Sequence, residues 1–228
     1  MKKGFCRLSA MGMVSALGDS HEEILKRLLD EVPSRLNEGP KLLNERKFGV
    51  RNVEVPLTQI PQYLRRFRCR NNELALTAFQ QIEEHVSTLL ESYGDFRMGV
   101  VMGTSTSGML STEKALAFRK ESGHFPQDFD YAQHEMNGLA DFIAAYSGIA
   151  GPAYTISTAC SSSAKVFASA RALLEMELCD AVVVGGSDSL CEFVLNGFAS
   201  LEVLSAEVSN PMSRNRNGIN LGEGACVF

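Results

Sequence analysis

The spacing of apolar and polar residues changes period several times along the chain, and each change predicts an element. Residues 4–14 read as a strand, and Ser20 with Glu23 three positions later forms a capping box that opens a helix running to about residue 30. The stretch 33–62 holds Pro33, Pro40, Pro56 and Pro61 and keeps no period, so it reads as loops around a short edge strand over 48–55. Leu74, Ala78, Ile82, Val86 and Leu89 or Leu90 then recur every three to four positions, which predicts a one-sided helix beginning near Asn72. Residues 97–102 (RMGVVM) form a short apolar run of buried-strand character, feeding the small-residue loop Gly103-Thr104-Ser105-Thr106-Ser107-Gly108. A loop of this composition lets another group approach its backbone.

The second half is more regular. Residues 136–146 have helical spacing, Gly151-Pro152 is a turn, and 153–158 alternates as a strand. A helix follows over 161–178, its first half rich in Ala and Ser and therefore able to pack closely, and 180–186 (DAVVVGG) reads as a fully buried strand. Strand, helix and strand in this spacing make a parallel βαβ unit. Gly224-Ala225-Cys226-Val227-Phe228 looks like the middle of another strand. Without repeats, low-complexity tracts or an evident linker, the pattern is that of one α/β domain.

Composition narrows the function classes. With 228 residues, 45% of them hydrophobic, the chain can bury a sizeable core, so disorder is excluded as its default. A net charge of −5 spread over mixed charges offers no basic surface for nucleic acid. No run approaches the roughly 20 apolar residues of a membrane span. The opening Met1-Lys2-Lys3 faintly resembles a leader, but Arg7 interrupts the apolar stretch behind it, and a first strand is the better reading. A cytoplasmic enzyme or binding domain is expected. The six cysteines show neither C-x-x-C pairs nor Cys/His clusters, so no metal site and no disulfide framework are expected.

Cys160 is the exception among them. It falls between the strand over 153–158 and the helix starting near Ser161, and unpaired N–H groups and the dipole at a helix start favour an anion. One turn would thus supply a thiolate nucleophile and, through its N–H groups, part of an oxyanion hole. Thr158, Ala159, Ser161, Ser162 and Ser163 are small enough to leave the sulfur accessible. A buried structural cysteine beside a helix cap satisfies the same pattern, and on these residues alone the two readings stand level.

The motifs break that tie. Ser157-Thr158-Ala159-Cys160-Ser161-Ser162-Ser163 resembles the active-site cysteine motif of the β-ketoacyl-acyl-carrier-protein synthases, the condensing enzymes of fatty-acid and polyketide synthesis. Val183-Val184-Gly185-Gly186-Ser187 is similar to the family's glycine-pair strand end. The run from Asn210-Pro211 through Arg214, Arg216, Asn217 and Gly218 to Gly222-Glu223-Gly224-Ala225 is similar to its carboxyl-side signature. The loop 103–108 and the opening 11–18 agree in kind, so the resemblance spans essentially the whole chain. It implies a thiolase-like fold of layered αβαβα architecture, with this chain supplying the first βαβαβαββ half as one nucleophile-bearing domain over 1–228. It also implies a decarboxylative Claisen condensation with no bound cofactor, the substrates arriving on the phosphopantetheine of an acyl carrier protein. The expected partners are that carrier and a second synthase subunit, as a homodimer or a related pair.

On the same resemblance Cys160 is the nucleophile and a backbone oxyanion donor, Thr106 lines the floor of the acyl pocket, and Ser161 contacts substrate. Arg65, Arg66, Arg68 and Arg70, the densest basic run, are expected to dock the acidic carrier, with Arg66 and Arg70 the nearest matches. Asn217 stands where relatives often carry Asp, which removes a carboxylate partner for a nearby Arg. The family completes its site with two histidines from its carboxyl-terminal half, and none of His21, His85, His124 or His134 lies in a matching motif. The chain alone is therefore expected to fall short of full condensation. A non-catalytic partner resembling a chain-length factor, and a coenzyme-A-dependent thiolase, are the competing readings.

Overall fold

The computed structural model describes residues 6–29, 36–40, 42 and 48–228. Its main sheet has five strands in the order β1-β7-β6-β4-β5, formed by β1 (Gly12–Ser15), β4 (Met98–Gly103), β5 (Ala153–Ile156), β6 (Ala181–Asp188) and β7 (Gly224–Val227). β4 pairs in parallel with β5 and β6, while β7 runs antiparallel to both β6 and β1. A two-stranded ribbon joins β2 (Asn37–Glu38) to β3 (Gly49–Val50). β5 and β6 are thus parallel members of one sheet, as a βαβ unit requires, with β4 lying between them.

Helices cover both faces. α2 (Arg70–Gln80), α3 (Glu83–Tyr93) and α5 (Gly138–Ser147) pack on one side around Leu74, Phe79, Met98, Leu139 and Phe142, all essentially inaccessible to solvent. α6 (Ser162–Glu175) covers the other side over a smaller core of Val101, Val166, Leu173 and Val184. α1 (His21–Leu29) starts as its capping box prescribes, with the Glu23 N–H donating to Ser20 Oγ at 3.2 Å. Position 30, its expected end, and much of the proline-rich stretch fall outside the described residues.

Several expectations need correction. The apolar stripe from Leu74 to Leu90 belongs to two helices, because Ile82 leaves helical geometry (φ −118°, ψ 4°) between α2 and α3. The stripe keeps its phase across this break, so Leu74, Ala78, Ile82 and Val86 are all buried on one face. Two helices absent from the sequence reading are present, α4 (Met109–Ser122) and α7 (Glu192–Ser200). The first strand is confined to Gly12–Ser15. Within the described part of its expected range, residues 6–11 pair with no neighbour. β6 is buried through its middle, yet Ala181 and Val182 at its start are only partly covered.

Candidate active site

Cys160 sits on a sharp elbow between β5 and α6. Ala159 before it holds a positive φ of 53°, a left-handed conformation that costs a non-glycine residue energy and persists only when its surroundings fix it. Ser162 supplies that fixing: its hydroxyl, on a side chain buried at the first position of α6, accepts from the Thr158 N–H at 2.9 Å and donates to the Ala159 carbonyl at 2.7 Å. Ser161 adds a bond from its hydroxyl to the Thr158 carbonyl at 2.9 Å. The elbow is closed internally, and its outer residues, Cys160 and Ser161 included, are exposed.

Two glycines let α6 start so close to the sheet. A Cβ on Gly103, the last residue of β4, would lie 2.9 Å from backbone atoms of Ser162 and Ser163. One on Gly186 in β6 would lie 2.0 Å from Ser163 Oγ. The glycine at the β6 end is thus required by the proximity of the nucleophile helix.

The turn has few donors to spare. The N–H groups of Ser161 and Ser162 already donate to the carbonyls of Thr158 and Ala159, at 3.4 and 3.0 Å. Among the described residues, the Cys160 N–H has no such partner, so the oxyanion donor this turn can offer is the cysteine's own amide.

Next to this elbow the loop after β4 is built around Asp188. One carboxylate oxygen of Asp188 accepts from the backbone N–H of Ser105 (2.7 Å) and Thr106 (3.0 Å) and from the hydroxyls of Thr104, Ser105 and Thr106 at 3.0–3.1 Å. Thr106 is buried, and its hydroxyl also accepts from the Ser189 N–H at 3.1 Å. The close approach expected at this loop is made by the chain itself, since a Cβ on Gly108 would collide with the Gln133 carbonyl at 1.8 Å. Neither Asp188 nor Ser162 was singled out by the sequence. Asp188 directly follows the Gly185-Gly186-Ser187 motif, which is the available signal; Ser162 is indistinguishable from its serine neighbours.

The four arginines divide. Arg65, Arg66 and Arg68 are exposed around a cleft of about 450 Å³ that also includes Asp128 and Asp130. Arg66 lies 5.4 Å over the Phe67 ring. Arg70 instead turns inward: its Nε donates to both oxygens of Glu223 at 3.0 and 2.9 Å, and its Nη2 to the Val53 carbonyl at 2.9 Å. The buried Glu223 carboxylate also accepts from the N–H groups of Val53 and Leu190, tying the start of α2 to the segments that follow β3 and β6. The glutamate of the carboxyl-side motif is therefore a structural hub.

The other cysteines are differently placed. Cys69, Cys179 and Cys191 are buried, Cys226 is half-buried and Cys6 is exposed. Burial pushes the Cys69 thiol up to about 12 and the Cys191 thiol up to about 11. Of the histidines, His85 sits on α3 against Ser9 Oγ at 2.8 Å, and His134 against Thr112 Oγ1 at 3.0 Å.

A mixed sheet in this strand order, flanked by helices and carrying a cysteine elbow, is of the thiolase-like α/β class, as solved ketosynthases of the same fold attest. The chain belongs to the β-ketoacyl synthase family: residues 8–228 match its amino-terminal domain, described as "Beta-ketoacyl synthase, N-terminal domain". It is similar to nodulation protein E of Rhizobium meliloti (strain 1021), 26% identical over 226 residues that cover 96% of this chain and 55% of that protein. A chloroplastic 3-oxoacyl-[acyl-carrier-protein] synthase I of Arabidopsis thaliana is 30% identical over 142 residues, 58% of this chain and 30% of its own length. Among solved structures, the ketosynthase (ApeO) in complex with its chain length factor (ApeC) from Xenorhabdus doucetiae superposes with a TM-score of 0.89 at 36% identity, covering 96% of this chain and 56% of the matched one. The chain spans about half the length of the relatives it matches over nearly all of its own. Among the described residues no helix is long and apolar enough to cross a membrane.

Proposed function

We propose that this chain carries the acyl-accepting half of a condensing enzyme that extends an acyl chain by decarboxylative Claisen condensation, in fatty-acid or polyketide-like synthesis. The Cys160 thiolate attacks the carbonyl of an acyl-phosphopantetheine thioester; a new carbon–sulfur bond forms, and the pantetheine thiolate leaves. A malonyl-carrier thioester then loses carbon dioxide, its electron pair forms the new carbon–carbon bond to the acyl carbonyl, and the Cys160 thiolate departs. The observation that carries the reading is the exposed cysteine on a closed elbow whose own amide is free to meet an oxyanion, in a chain of this family.

Acyl loading is the step that Cys160 and its elbow carry in this reading. Carrier docking falls to Arg65, Arg66 and Arg68, which are exposed, with Arg70 acting through its ion pair to fix the start of α2. Thr106 and Ser161 remain the pocket-floor and substrate contacts of this reading. No resident cofactor is required, since the substrate brings its own phosphopantetheine. The solved complex of a ketosynthase with its chain length factor supports a related subunit as partner, and also keeps alive the second reading, a non-catalytic partner subunit.

Acyl transfer from a carrier-bound thioester and from the coenzyme A thioester, measured on the purified chain and on Cys160→Ala, separates the readings. Transfer from the carrier that is lost in Cys160→Ala supports the condensing enzyme. Faster transfer from coenzyme A would favour the thiolase, and no transfer from either would favour the non-catalytic partner.

A further inference from the structure

Opposite charges share one cleft of the molecule without pairing. The cleft, about 450 Å³, has a basic and an acidic wall. The short helical turn over Gln62–Phe67 and the residue after it contribute Arg65, Arg66 and Arg68. The loop between α4 and the turn Tyr131–Gln133 contributes Asp128 and Asp130. The two turns pack on each other, which sets the walls on a common base.

Among the described residues, none of these three guanidinium groups makes an ion pair with either carboxylate. Several of these charges are held on their own side. Arg68 Nη2 donates to Gln62 Oε1 at 3.2 Å, and Arg66 lies over the Phe67 ring. Asp130 accepts from the Ala132 N–H at 2.9 Å, capping the turn that follows it. The acidic loop is anchored too: Phe129 stacks on Phe125 at 5.2 Å, and Gln133 Nε2 donates to the Asp128 carbonyl at 3.0 Å. Gln133 is itself buried, its carbonyl pressed against Gly108 at the start of α4. The Asp128 carboxylate, by contrast, is exposed and has no hydrogen-bond partner among the described residues.

A visiting surface that is acidic throughout is attracted by one wall and repelled by the other. A surface that sets a cation beside its acidic groups satisfies both. We propose that Asp128 selects among carriers, favouring one whose docking face places a Lys or Arg next to its acidic residues and disfavouring one that is acidic throughout. This selection presupposes that Arg65, Arg66 and Arg68 dock the carrier, as proposed above. The arginines supply the attraction common to acidic carriers, and Asp128 supplies the repulsive element that tells them apart. Asp128 is the specificity-determining position because its carboxylate is free, whereas that of Asp130 is engaged in a cap. Charges at such a rim act mainly on the rate of encounter, so the selection is expected in association and to fade with salt.

The test measures, by stopped flow at two ionic strengths, association of the whole chain with a uniformly acidic acyl carrier and with single Glu→Lys variants of its acidic face. At one or more carrier positions, Lys is expected to speed association with the unaltered chain about threefold. That gain is expected to vanish in Asp128→Asn, which itself takes the uniformly acidic carrier about twofold faster than the unaltered chain does. Arg66→Glu serves as the reference for docking. If Arg66→Glu slows association while no Lys position gains and Asp128→Asn matches the unaltered chain, docking stands and selection by Asp128 is overturned. If Arg66→Glu changes nothing, the docking reading falls and the selection falls with it.

Discussion

Three of the cysteines stand at the start of a helix, and the elbow at Cys160 differs from the other two in a way that separates position from reactivity. Cys69 caps α2 and Cys191 caps α7, each in extended conformation and each buried, with thiols pushed far up by that burial. Cys160 precedes the cap of α6 by one residue, follows the left-handed Ala159, and is exposed. All three share whatever the dipole offers. What distinguishes Cys160 is the strained turn that lifts it out of the packed layer, held by Ser162 and admitted by Gly103 and Gly186. Cys6 completes the comparison, being exposed, at no helix start, and near the Arg171 guanidinium of α6.

The contrast can be broken most forcefully by alkylation of the native chain. A thiol raised from 9.0 to about 12 holds about a thousandfold less thiolate near neutrality, so Cys69 is expected to label at least about a hundredfold more slowly than Cys160. Iodoacetamide labelling with peptide mapping checks this, and the difference is expected to vanish in denaturant. Raising the pH toward 11 adds thiolate at Cys191 before Cys69, so Cys191 is expected to gain labelling first as long as the fold persists.

Ser162→Ala is expected next in size. It takes their shared hydroxyl from the part-buried Thr158 N–H and from the Ala159 carbonyl, which keeps the Ser162 N–H, at a cost of about 1–3 kcal/mol. Gly103→Ala presses a methyl group on the α6 backbone and is expected to cost a similar 1–3 kcal/mol or so by overpacking. Urea midpoints at constant slope measure both, and the Cys160 labelling rate is expected to fall with them as the elbow loosens. Gly186→Ala meets the Ser163 Cβ at 2.9 Å besides the rotatable hydroxyl, and is expected to cost about as much.

The smallest effects test the electrostatics. Cys160 is expected to label about two- to fivefold faster than Cys6, the worth of a helix start at roughly 0.3–1 kcal/mol. In an assay with the carrier, Arg66→Glu is expected to slow association several-fold in a salt-sensitive manner while leaving transfer from a small thioester unchanged. Stopped-flow association at two ionic strengths reads this. An equal loss on both substrates would place Arg66 in the fold rather than on a docking surface.

Much of this arrangement is legible in the chain. The run over residues 181–184 has no polar interruption and sits in the middle of the sheet, and the small residues on either side of Cys160 mark where backbone and helix converge. α4 escaped because its apolar residues lie all round it: only Ala115 is buried, while Leu116 and Phe118 face solvent. α7 behaves similarly, with Leu195 buried and Phe193 exposed. The break between α2 and α3 is invisible to periodicity because it preserves the apolar phase. Arg70 belongs to a basic run by sequence, and only the fold brings Glu223, far along the chain, against its guanidinium.

The central claim is that Cys160 accepts the acyl group, and locating that group tests it most directly. The purified chain is incubated with an acyl-phosphopantetheinyl carrier, digested without thiol reagents, and mapped by mass spectrometry. The acyl mass is expected on the peptide containing Cys160 alone, absent when Cys160→Ser is used. An acyl mass on Cys6, or the same modification in Cys160→Ser, would contradict the account.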